Sequence, residues 1–137
     1  MLPIVIRRDL DGSNGRNWPG FVILGKDIER PAAVAAQEIW EARHKLNPLA
    51  LLQVLTSKDS RRKMELMGHE VEVQACVIIY GQSEIVARKR EAVAMHNGYD
   101  GLFRHMSPLK IEAEMRKRSD KARAWVQANL REIKRYH

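Results

Sequence analysis

The sequence predicts a mostly helical α+β domain, a short N-terminal β-hairpin followed by about five α-helices. Three features predict it. β-Branched residues cluster near the start, in LPIVIRR and again in FVIL, and such residues suit strands. From position 31 onward the apolar residues recur at spacings of three and four, the period of a helix face. Proline, glycine, serine and asparagine punctuate that stretch where helix starts and stops are needed.

The 137 residues suffice for one domain with a real core, read as a β-hairpin region (1–30), a helical core (31–103) and a basic helical tail (104–137). Hydrophobic content of 45% and charged content of 30% are those of an ordinary globular chain. No apolar run approaches the roughly 20 residues of a membrane span. The apolar run at the N-terminus is short and precedes its charges, unlike a signal peptide. Cys76 is the only cysteine, which excludes an internal disulfide and fits an intracellular setting. Membrane partners are therefore not expected.

Residues 2–8 read as a strand, 9–20 (DLDGSNGRNWPG) as a polar loop and 21–24 as the returning strand, with Trp18 folding back as a lid. Pro31 suits the first turn of an alanine-rich helix, PAAVAAQEIWEARHKL, that Asn47-Pro48 should stop. Residues 48–55 (PLALLQVL) read as a short helix buried in the core. Asp59 or Ser60 should cap a helix over 61–80, in which Met64, Met67, Val71, Ala75 and Ile78 share a stripe. Gly68 within it costs about 1 kcal/mol relative to alanine, which points to a close neighbour. Gly81 should end it. Ser83 should cap a helix over 84–96, and Leu102 and Phe103 should pack inward from a loop. Ser107-Pro108 opens the next helix, and the tail is amphipathic through Ala122, Trp125, Val126, Leu130 and Ile133.

The candidate chemistry sits on two of these helices. Gln37, Glu41 and His44 fall three and four apart on the first; Glu65, His69, Glu72 and Cys76 do so on the second. Facing one another, they would form a metal site, its remnant or a polar seam in which Arg43 pairs with the acids. Glu41-x-x-His44 and His69-x-x-Glu72 have the spacing by which a carboxylate and an imidazole share a metal. A di-metal bundle would need both motifs in one direction and further glutamates, which are missing. Cys76, in an apolar run, reads as an inert core thiol. Phosphate-loop, dinucleotide, paired CxxC and GxSxG patterns are all missing.

QEIWE stands mid-helix after RRDLDGSNGRNWPGFVILG, and GHEVEVQA stands on a later helix. Over roughly residues 4–76 this layout resembles small phage- and prophage-encoded zincin-like proteins of the HExxH…E type. In such helices two histidines bind zinc, the intervening glutamate is the general base and a later glutamate completes the site. The resemblance implies Glu38 as catalytic base and Glu72 as third ligand, with Gln37 and Glu41 in place of the two histidines. It thus implies a scaffold that has lost peptidase activity, with a structural or accessory role in the cytoplasm of a bacterial host or in a virion. No cofactor is expected on that reading. The alternative is a metal-dependent hydrolase with zinc or another divalent ion on Glu41, His44, His69 and Glu72, and Glu38 as base.

From residue 104 onward ten Lys and Arg face four Asp and Glu, which is +6 of the net charge of +7. A solvated helix face is the plain reading. A second alternative is a nucleic-acid-binding module using Arg116, Lys117, Arg118, Lys121 and Arg123. Protein partners or self-association are expected ahead of a small-molecule substrate.

Overall fold

The apolar run FVILG forms the central strand of a three-stranded sheet, where none of its side chains is left exposed. The computed structural model describes residues 2–10, 13–83, 86, 90, 102, 103 and 106–137. Strand β1 is Ile4–Arg8, β2 is Gly15–Trp18 and β3 is Phe21–Gly25, in the order β1-β3-β2. The α+β class holds, but the expected hairpin does not pair as the sequence suggests. β1 and β3 run parallel, with Ile4 opposite Phe21, and β3 makes its hairpin with β2. The strand β2 lies inside the stretch that composition marks as loop. Pro19 and Gly20 supply the tight turn between Trp18 and Phe21, and Gly20 takes a φ of 71°, where a side chain would be strained.

Helix α1 spans Pro31–His44, α2 Pro48–Thr56 and α3 Lys58–Tyr80. Val22 and Leu24 of β3 are fully buried against Val34, Ala35, Ile39 and Ala42 of α1. The other side of α1 packs on α3, where Ala32, Ala33 and Ala36 meet Met67, Val71 and Ala75. Alanine at so many positions is what lets one helix lie close to both a sheet and a second helix.

Helix starts and stops follow local chemistry. The Asn47 side chain accepts from Leu49 and Ala50, and Ser107 accepts from Lys110. Helix α3 starts earlier than expected, because Ser57 rather than Asp59 or Ser60 caps it, accepting from the Ser60 amide. Gly81 ends it at a φ of 65°. The helix expected over 84–96 lies outside the described residues. Leu102 and Phe103 are buried with Leu66, Val73, Ile111 and Met115.

Helix α2 departs from expectation. It was to be core, yet Leu49, Leu52 and Leu55 are 63%, 57% and 70% exposed, and Val54 is its buried residue. High apolar content says that a helix seeks cover; it does not say that its own chain supplies it.

The tail folds as α4 (Pro108–Lys117), α5 (Ser119–Ala128), α6 (Leu130–Ile133) and a closing 3-10 turn (Lys134–Tyr136). Ala122, Val126 and Ile133 are fully buried, as the amphipathic pattern requires. Among the described residues no helix is long and apolar enough to cross a membrane.

Candidate functional site

β2 passes so close to α1 that a side chain at Gly15 would lie 2.9 Å from Glu38 Cγ. The strand, α1 and α3 enclose a cleft of about 650 Å³, lined by Asn17, Glu38, Glu41, Glu65, His69 and Glu72. Gln37 and Trp18 also line it. Trp18 is a half-exposed wall of the cleft, its ring 5.8 Å from that of Phe21, rather than a lid over the core.

Asn17 organises the acids. Both hydrogens of its amide are used: Nδ2 donates to Glu38 Oε2 at 2.5 Å and to Glu41 Oε2 at 2.7 Å. Its Oδ1 accepts from Lys45 Nζ at 2.6 Å. The second oxygen of Glu41, Oε1, is buried with no hydrogen-bond partner. Gly68 explains how it gets there. A Cβ at that position would sit 3.0 Å from Glu41 Cδ, so the glycine lets the carboxylate lie directly on α3. Glu65 approaches the same carboxyl, and only a proton held between the two acids would make that contact a hydrogen bond. His69 Nε2 stands 3.8 Å from Glu65 Oε2.

This crowding changes acidity. Burial is the largest effect on Glu38 and, with the charges of Glu65 and Glu72, raises its pKa to about 7 against the pull of Asn17 and Lys45. Burial, then Glu65 and Glu38, hold Glu41 well above the usual carboxylate range. Burial also raises Glu65.

Of the residues singled out from sequence, Glu38, Glu41, His69 and Glu72 share this cleft, and His44 does not. Lys45 faces the acids, and one residue turns a helix by about 100°, so His44 points elsewhere. It stacks on Trp40, ring centroids 5.1 Å apart, in a second pocket with Met64 and Met67. Arg43 is not part of the acid seam either; its guanidinium pairs with Glu132 at 2.6 Å. Cys76 is a core residue beside Ala122 and Val126. Arg90 is buried in an ion pair with the fully buried Glu70. Sequence reasoning missed Asn17 and Lys45; it put Glu65 on one face with His69 and Glu72 but named it neither ligand nor base.

Zinc does not suit this donor set. It favours imidazole nitrogen or thiolate in a tetrahedron, whereas the places that the resemblance assigns to two histidines hold an amide (Gln37) and a carboxylate bound to Asn17 (Glu41). Among the described residues no group of three His, Cys, Asp or Glu side chains already converges to hold a metal. Of the five basic residues proposed for nucleic acid, Arg116 pairs with Glu112 at 2.5 Å, Lys117 and Arg118 with Glu114 at 3.0 and 3.1 Å, and Arg123 with Asp120 at 3.4 Å. Lys121 lines the pocket beside His44. No family model matches the sequence, and neither a curated protein nor a solved structure does.

Proposed function

We propose that this chain is a zincin-like scaffold without peptidase chemistry, serving a structural or accessory role such as the resemblance to phage- and prophage-encoded proteins implies, in a virion or a bacterial host. One observation carries the reading. At the second ligand place stands Glu41, and its carboxylate is fastened to Asn17 and pressed against Gly68 rather than presented to an ion as an imidazole would be. The layout otherwise fits such a scaffold, with an edge strand beside the motif helix and Glu38 inside the cleft between them. The role is exercised through protein contacts, with a second copy of the chain as the partner α2 suits. That helix carries no charged residue, so its leucine face is complementary to itself.

A metal-dependent hydrolase is the second reading. Its support is that Glu38, with a pKa near 7, shares a cleft with His69 and Glu72; such a value suits a general base. Its ligand set loses His44.

The two are separated by incubating the full chain with unfolded protein substrates and added zinc, beside a Glu38→Gln variant. The scaffold reading expects no hydrolysis from either. Chelator-sensitive cleavage that Glu38→Gln abolishes would replace it with the hydrolase reading.

A further inference from the structure

Side chains alternate between the two faces of a strand. Val22 and Leu24 of β3 are fully buried against α1, so Phe21 and Ile23 point to the opposite face of the sheet. The register sets Ile4 and Trp18 on either side of Phe21, and Ile6 and Arg16 on either side of Ile23. Arg8 continues this face beyond Ile6, opposite Gly25, which has no side chain to cover it. One end of the face is therefore aromatic and apolar, and the other is cationic. None of these side chains belongs to a core cluster among the described residues. Ile4 and Trp18 are 58% and 45% exposed. The Trp18 and Phe21 rings are tilted 51° apart, so neither lies flat on the other.

We infer that this outer sheet face binds single-stranded nucleic acid, with bases stacking on Trp18 and Phe21 and phosphates meeting Arg8 and Arg16. Charge selects the occupant. Arg8 and Arg16 are exposed, and neither forms a hydrogen bond or ion pair among the described residues. Arg16, on the edge strand, also borders the cleft and so stands at the rim between the two surfaces. The face carries no carboxylate, and the chain as a whole has a net charge of +7. A second copy packed face to face would bring arginines together with no acid to meet them. A single strand offers both things the face lacks, flat base surfaces for the aromatic row and one phosphate per nucleotide for the cations. The tail is the poorer platform, because four of its cations already pair with carboxylates. This inference rests on the sheet and not on the zincin-like reading, so the presence or absence of peptidase activity leaves it standing.

The test is fluorescence anisotropy of end-labelled oligothymidine and oligouridine, titrated with full chain at several salt concentrations, beside a mixed-sequence duplex of equal length. Trp18→Ala, Arg8→Glu and Lys121→Ala are the variants. Lys121 is an exposed cation of the tail and serves as the control, and Arg8→Glu alters an exposed side chain without contacts, so it folds if Trp18→Ala does not. Wild type and Lys121→Ala should bind single strands with a dissociation constant on the order of 10 μM at low salt, and the duplex, whose base faces are hidden, more weakly. Trp18→Ala should weaken single-strand binding at least about tenfold. Arg8→Glu should weaken it too and flatten the logarithmic salt dependence by about 0.7. No single-strand binding, equal affinity for duplex and single strand, or a loss in Lys121→Ala that Arg8→Glu does not share would each overturn the inference. So would self-association that Trp18→Ala abolishes in a chain that ignores the oligonucleotides, which would give the face to a protein partner.

Discussion

Asn17 holds two buried acids with one amide, and the acid it holds less deeply, Glu38, sets the clearest consequence at the scale of a single residue. Its pKa stands near 7 in the folded chain against 4.5 as the ordinary value. The folded state therefore binds this proton more tightly than the unfolded chain. The resulting stability is fully present below pH 4.5 and is lost as pH rises through about 7. Glu41 and Glu65 are raised too and act in the same direction. For Glu38 alone the ceiling is roughly 3 kcal/mol. In the presence of chelator, urea unfolding should show wild type losing stability from about pH 5 to about pH 8, with Glu38→Gln giving a shallower slope. Parallel profiles for the two would contradict the assignment. Glu41 was legible in the sequence because its spacing puts it on one helix face with Gln37 and His44, whereas Glu38 entered only through the resemblance to HExxH…E proteins. Asn17 was not: its contacts reach 21 and 24 residues along the chain from a segment whose composition reads as loop.

At the scale of an element, β2 and α2 show what local composition does and does not carry. Glycine and asparagine depress strand propensity, but pairing with β3 and packing on α1 outweigh that preference, and GRNW becomes a strand. Helix α2 is the opposite case. Its caps and limits follow from Asn47-Pro48, yet its leucines point outward. Leu46 extends this apolar surface towards Leu2, since both lie near Gly20. A stable interface buries roughly 800 Å² on each partner, so in the proposed self-association this patch would supply the centre rather than the whole. Sedimentation velocity should show wild type dimerising with rising concentration and a Leu49→Glu/Leu52→Glu variant staying monomeric. Because these side chains are exposed, the variant should keep its stability to within about 0.5 kcal/mol. A wild type that stays monomeric at high concentration would remove α2 as the self-association surface.

Across the whole molecule, the basic tail returns to the N-terminal half rather than extending as an arm. Arg43 of α1 bonds Glu132 and Asn129, Arg7 of β1 bonds the Tyr136 carbonyl, and Tyr80 stacks on His137. The amphipathic stripe made this docking legible; its partners were not, because charge counts do not say which cations are already paired. The mostly α order of elements was legible from periodicity and punctuation, whereas the parallel pairing of β1 with β3 depends on contacts that no local pattern encodes. What unites the molecule is a cleft between sheet and helices whose acids are arranged by Asn17 and Gly68. The most direct measurement is elemental analysis of the chain purified without an affinity tag, for wild type and Glu72→Ala. The account predicts zinc far below one ion per chain in both proteins, each remaining folded. One zinc ion per wild-type chain, lost in Glu72→Ala, would contradict it.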